Sequence, residues 1–205
     1  MVYLINHIIL VLLWLLFGIL HSVLAADGWK RLMQRWLGAR YKYYHFSYSV
    51  FAAVTLIGIL VFQYTMDSHF LFIMPGWLML LCCLPALAGL AIMAVVIRKY
   101  FFSLSGISVF YKEEAPLALE QGGMHRYVRH PLYFGTLLFI WSLFLLFPYL
   151  NNLLACLVIT LYTVFGARLE EKKLVAQFGE QYRRYQQTVP MLIPRLTVPR
   201  APGST

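Results

Sequence analysis

Charge is what this chain has least of. Charged residues make up 12% of its 205 positions, about half the share usual in a soluble domain, which excludes an ordinary water-soluble globule. Acidic residues are scarcer still, eight against seventeen lysines and arginines. Cysteine is rare, and Cys82, Cys83 and Cys156 all fall inside apolar runs at spacings that give neither a disulfide framework nor a zinc site. They read as buried structural thiols. No internal repeat is visible, and no Ser/His/Asp set suggests nucleophilic hydrolysis.

What is abundant is long apolar sequence. Five stretches stand out, at about 4–26, 46–66, 70–97, 131–147 and 149–168. Crossing a bilayer takes roughly 20 residues. The first three are long enough, and the last two, parted by Pro148-Tyr149-Leu150-Asn151-Asn152, read as a tight helical hairpin. The fold expected is therefore all-α: a single polytopic membrane domain over 1–200 with five transmembrane helices and a C-terminal interfacial helix. Residues 201–205 are expected to form a disordered tail. The first run has no preceding positive charge, so it reads as a retained span despite Val23-Leu24-Ala25.

The basic residues are sorted. All seventeen fall in three segments, Lys30–Lys42, Arg98–Arg129 and Arg168–Arg200, and none lies before Lys30, near Asp67–His69 or at Pro148–Asn152. Five spans place those three segments on one face, which the positive-inside rule makes cytoplasmic. The N-terminus is then outside and the C-terminus inside, as in a bacterial inner-membrane protein. This sorting accounts for the basic balance through membrane lipids and leaves nucleic acid without a role.

Pro85 lies inside the third run and predicts a kink. The connection Arg98–His130 is too long for a turn and reads as a functional loop. After the fifth span, Leu174, Phe178 and Tyr182 recur at helical spacing, with Tyr185 continuing the stripe. An interfacial helix anchored by tyrosines and basic side chains follows from that pattern, ended by Pro190 and Pro194.

The densest chemistry is "GGMHRYVRHPLYFG", Gly122–Gly135. Pro131 suits a first helical turn, which puts His130 at the cap of the fourth span with Arg129 before it and Tyr133 just inside. The two hairpin arms are nearly equal, about 26–28 Å at 1.5 Å per residue. The start of one and the end of the other therefore share a depth, which brings His130, Arg129 and Tyr133 level with Glu170 and Glu171. Each residue alone has a plain structural use; together they suggest a pocket for a ligand carrying both signs of charge and a ring.

"GMHRYVRHPLYFG" and "LEEKKLVAQFGEQYRRYQQTVPMLIPR" resemble the two motifs of the integral-membrane methyltransferases. These are the isoprenylcysteine carboxyl methyltransferase family with its phospholipid and thiol S-methyltransferase relatives. The resemblance covers about 122–195 and implies S-adenosylmethionine as cofactor, held by His130, Pro131, Leu132, Tyr133, Glu170 and Glu171 within a site drawn from 98–134 and 168–195. Arg129 would position the motif or the acceptor. His125, which stands where the family often has tyrosine, would act as a base if the acceptor is a thiol or amine. The acceptor (thiol, carboxylate or amine) is expected to be a lipophilic molecule entering from the bilayer. Gly166 stands where prenylcysteine enzymes carry a carboxylate-binding arginine, which weighs against that acceptor. No metal and no obligate protein partner is implied.

Two other readings stay open at this stage. Sterol-reductase-type enzymes, which use NADPH, have a similar hairpin but usually carry asparagine where this chain has Leu132. A haem-binding or transport protein could use His7, His21 and His45, although His7 and His21, 14 residues apart, are about 21 Å apart along one helix.

Overall fold

The computed structural model describes residues 2–105 and 119–195. The expected tail at 201–205 and the middle of the expected functional loop, 106–118, lie outside the described residues. In chain order the elements are α1 (Val2–Ala25), α2 (Asp27–Leu37), a 3-10 turn (Gly38–Tyr43), α3 (Tyr44–Thr65), α4 (Gly76–Ser105), a short 3-10 turn (Gly123–Arg126), α5 (Pro131–Leu146), α6 (Leu150–Phe178) and α7 (Glu180–Thr188). Helices dominate because a chain this apolar can satisfy its backbone polar groups in hydrocarbon only within each segment. Among the described residues the sole β pairing is an isolated bridge between Phe70 and Tyr149.

Four helical stretches are long and apolar enough to cross a membrane: Tyr3–Ala25, Asp27–Thr65, Gly76–Lys99 and Leu150–Phe178. The chain is a multi-pass membrane protein. α5 is a shorter apolar helix of 16 residues. α6 has 29 residues, of which the first 19 or so already span about 28 Å. Its last turns, from Leu169 onward, exceed the length that a crossing needs.

Three expected boundaries move, each for a local reason. The run expected to be helical from 70 begins its helix only at Gly76. Pro75 disfavours helix in the residue before it, and the preceding segment is stitched to the hairpin turn by Leu71 N–H to Pro148 O (2.8 Å) and Leu150 N–H to His69 O (2.9 Å). The helix expected to end near 168 continues to Phe178, because nothing between Gly166 and Gly179 breaks it. The expected single C-terminal helix is instead cut at Gly179, whose φ of 56° only glycine adopts readily. α4 runs unbroken through Pro85.

Packing differs along the bundle. Leu10 and Trp14 of α1, Ile59 of α3 and Ala155 of α6 form one buried cluster. At the end away from the basic segments, Trp14 Nε1 donates to Gln63 (3.0 Å), and Gln63 Nε2 to Asn152 (2.9 Å). Asn151 Nδ2 donates back to the Gln63 carbonyl (2.8 Å). His7 donates from Nδ1 to Tyr3 O (2.7 Å) and meets Ser68 Oγ through Nε2 (3.1 Å), while His21 bonds the Tyr48 hydroxyl (2.8 Å). These two histidines fasten neighbouring segments rather than sharing a ligand.

α4 and α5 meet backbone to backbone. A Cβ placed on Gly89 would lie 2.7 Å from the Gly135 carbonyl oxygen and 2.8 Å from Phe139 N. Small residues permit such approach between membrane helices. Gly89→Val therefore forces the pair apart and is expected to cost about 1–3 kcal/mol, read as a lowered melting temperature in detergent. Gly58→Val, at a position with nothing within 4 Å of an added Cβ, is the matched control and should melt near wild type.

Candidate functional site

Pro131 opens α5 as its first residue, and His130 is the cap. The residues before it are held by the chain that follows α7. Arg129 N–H donates to Pro190 O (2.9 Å), His130 N–H to Met191 O (3.2 Å) and Arg195 N–H to Tyr127 O (3.2 Å). The Tyr185 hydroxyl donates to His125 O (2.6 Å). Val128 between them is buried. The two sequence motifs, far apart in the chain, are thus one unit.

At its centre lies Glu171. Arg129 grips it in a fork, Nε to Oε1 (2.9 Å) and Nη2 to Oε2 (2.8 Å). His130 Nε2 donates to Oε1 (2.8 Å), as does the Tyr182 hydroxyl (2.6 Å), and Gln186 Nε2 donates to Oε2 (2.5 Å). Five donors exceed the roughly four acceptor sites of a carboxylate, so Glu171 has nothing left for a ligand. The Arg129 guanidinium uses four of its five N–H donors here, since Nη1 also donates to the carbonyls of Gln186 and Val189. Both side chains are 9% exposed.

Glu170 is different. Its side chain is 46% exposed and its Oε2 lies 3.5 Å from His130 Nδ1. The Tyr133 ring stacks on the His130 ring, centroids 5.4 Å apart and planes inclined by 17°. Pro131 is buried, and Leu132 and Tyr133 are half-buried. His130, Tyr133, Glu170 and Glu171 therefore do come together at the basic end of the α5–α6 hairpin. His125 sits at the rim, half-buried, its Nδ1 donating to Arg129 O (3.1 Å).

The electrostatics follow from these contacts. Burial works to raise the Glu171 pKa, but Arg129, Tyr182, Gln186 and His130 outweigh it and hold the carboxyl near about 2. Burial alone would lower His130; the two glutamates reverse this and raise it. Burial pushes Glu170 up, yet His130 and then Tyr133 bring it below its ordinary value. His125 is lowered, chiefly by burial, so it is neutral at pH 7 with Nε2 as its basic nitrogen. Tyr182 is raised by burial and by its bond to Glu171.

Tyr182, Gln186 and Tyr185 were not singled out as site residues by sequence. Tyr182 and Tyr185 read there as interfacial anchors, yet they are 1% and 6% exposed. The available signal was Gly179, a glycine inside a helical pattern, which marks a possible helix end.

Two outcomes test this geometry. Glu171→Gln leaves a buried guanidinium without its counter-charge and is expected to cost about 3–5 kcal/mol, whereas Glu170→Gln, half in solvent, should cost no more than about 1 kcal/mol; thermal melts in detergent separate them. The pH dependence carries a sign. A raised His130 pKa gives stability that is full below 6.5 and lost as pH rises through the folded value. A depressed Glu171 pKa gives stability that is full above 4.5 and lost as pH falls toward about 2. Relative to His130→Gln, wild type should hold its advantage at pH 5–6 and lose it progressively on the alkaline side.

Comparison with known proteins gives the family. The profile of the phospholipid methyltransferase family matches residues 76–181, more than half of the chain. A methanethiol S-methyltransferase of Crocosphaera subtropica is 40% identical over 100 residues, 45% of this chain and 38% of that enzyme. One from Mycobacterium tuberculosis is 28% identical over 185 residues, 87% of this chain and 74% of that enzyme. A protein-S-isoprenylcysteine O-methyltransferase of Schizosaccharomyces pombe is 43% identical over 77 residues, 35% of this chain and 31% of its own length. The matched part of the chain thus spans well under half of the Crocosphaera relative. No solved structure matches the chain. With the family profile running from α4 through the α5–α6 hairpin to the first turn of α7, the chain belongs to the phospholipid methyltransferase family.

Proposed function

We propose that this protein transfers a methyl group from S-adenosylmethionine to a lipophilic thiol at the membrane edge. The observation that carries the reading is the placement of a half-exposed Glu170 carboxylate together with His130 and Tyr133, beside the buried Arg129–Glu171 pair.

The donor set suits such a cofactor. Glu170 offers carboxylate oxygens that can accept from an ammonium group or ribose hydroxyls. The face of the Tyr133 ring turned away from His130 is an electron-rich surface for a sulfonium. Pro131 and Leu132 supply apolar wall at the helix start. When bound, the cofactor supplies the electrophilic methyl carbon. The chain's own task is to hold the acceptor in line and exclude water. Arg129 and Glu171 do so indirectly, by fixing His130. His125, neutral at pH 7, is placed at the rim to take the proton of a thiol, whose ordinary pKa is about 8.5.

A thiol acceptor is supported by the relatives named methanethiol S-methyltransferase, and the O-methyltransferase relative makes a carboxylate the second choice. A lipophilic acceptor is supported by the site's position at the basic end of the apolar helices α5 and α6. In this reading α1, α3, α4, α5 and α6 are the five spans, the basic end faces the cytoplasm, and α7 caps the site at the interface. Its first 19 residues give α6 an arm about 28 Å long, and α5 about 24 Å, so α5 crosses with its polar caps drawn inward.

The test is calorimetric. Purified protein should bind S-adenosylhomocysteine and not NADPH, and Glu170→Gln and Tyr133→Phe should each weaken binding by about tenfold, 1.4 kcal/mol, while melting near wild type. Binding of NADPH alone would favour the reductase reading and sink this one. Incubation with a labelled methyl donor, offered methanethiol in one arm and a lipid extract in the other, then identifies the acceptor.

A further inference from the structure

No residue of helix α2, Asp27–Leu37, is fully buried, although five of its eleven are apolar: Trp29, Leu32 and Met33 are half-buried against the bundle, and Trp36 and Leu37 are exposed. Trp29, Leu32, Met33, Trp36 and Leu37 fall at i, i+3, i+4, i+7 and i+8, a single stripe along its length. Trp36 is 76% exposed. The other face carries Lys30, Arg31, Gln34 and Arg35, and the 3-10 turn that follows adds Arg40 and Lys42. Across 27–43 the one acidic residue is Asp27, and its carboxylate is 3.8 Å from Lys173 Nζ.

Both ends of α2 are tied to apolar helices. A single extended residue, Ala26 (φ −69°, ψ 140°), joins it to α1, and Gly38 (φ 52°) ends it before the turn into α3. At about 16 Å long, it is tethered at the basic end of the bundle and has no room to leave it. A tethered helix with tryptophans on one face and cations on the other has the composition of an interfacial anchor. A second copy of the chain is a poor occupant, because a symmetric contact would set five cations against five.

We propose that α2 docks on the headgroup region of an anionic lipid leaflet, the exposed end of its stripe, Trp36 and Leu37, in the acyl boundary and its basic side chains on lipid phosphates. The charge makes the partner anionic rather than zwitterionic, since each basic residue near such a surface adds to the attraction. The contact weakens with salt for the same reason. It holds the α1–α3 junction at a fixed depth, and it does not depend on what the enzyme methylates.

The experiment uses the full chain in lipid nanodiscs, of phosphatidylcholine alone or mixed with phosphatidylglycerol. In a background with Cys82, Cys83 and Cys156 changed to Ala, Trp36→Cys carries a fluorophore, and brominated lipid serves as quencher. Strong quenching is expected in the anionic discs, falling several-fold in phosphatidylcholine alone and in the variant with Lys30, Arg31 and Arg35 changed to Glu. Weak quenching in both discs overturns the docking, and equally strong quenching in both overturns the anionic assignment. Should the labelled chain not fold, trypsin cleavage of wild type after Lys30, Arg31 and Arg35 decides: at least about tenfold slower cutting in anionic discs supports the proposal, and equal rates overturn it.

Discussion

A carboxylate taken out of water must have its lone pairs answered by donors, and in this protein those donors and the carboxylate come from three separate places. Arg129 and His130 lie just before α5, Tyr182 and Gln186 on α7, and Glu171 itself on α6. Closing the network therefore closes the site's architecture. Desolvating a charged pair is costly, and the attraction repays it only when the remaining hydrogen-bonding capacity is also met. Here it is met on both sides, since the Arg129 Nη1 that Glu171 does not use donates to the Gln186 and Val189 carbonyls.

This arrangement explains why two neighbouring glutamates have unlike surroundings. Successive residues on a helix point about 100° apart. Glu171 turns toward α7 and is consumed there, while Glu170 turns toward Tyr133 and His130 Nδ1. The imidazole sits between them, one nitrogen donating to each environment. Because Glu171 holds Nε2, the ring plane is fixed and Nδ1 is aimed at Glu170, with Tyr133 stacked across its face.

Much of this was legible beforehand because helical rise is constant. Two arms of similar length joined by a short turn must end level, so the meeting of His130 with Glu170 and Glu171 followed from counting residues. Counting could not say which carboxylate would be buried, because that depends on the rotational phase of α6 against an element beyond it. The phase was obscured by Gly179. Leu174, Phe178 and Tyr182 look like one continuous stripe, but a residue at φ 56° resets the direction of the chain, and Tyr182 swings inward to Glu171 rather than outward to lipid. The α2 stripe was also present in the sequence, where Trp29, Leu32, Met33, Trp36 and Leu37 alternate with the basic residues that sort the topology.

The depth match at the basic end needs equal precision at the other. Slipping α6 by one residue would rotate it by about 100° and shift it by 1.5 Å, removing Glu171 from Arg129's fork. The turn between α5 and α6 resists that slip. Asn152 Nδ2 donates to Phe147 O (2.8 Å) across the turn, Asn151 reaches α3 through Gln63, and the Phe70–Tyr149 bridge ties the turn to the segment before α4. Between the two polar ends, Gly89 and Gly135 bring α4 and α5 to backbone contact, where lateral packing leaves little freedom to slide. Such side-chain amides are costly in hydrocarbon unless paired, so the polar residues farthest from the chemistry are positioned by the same rule that buries Glu171, and they set the register on which its five contacts rest.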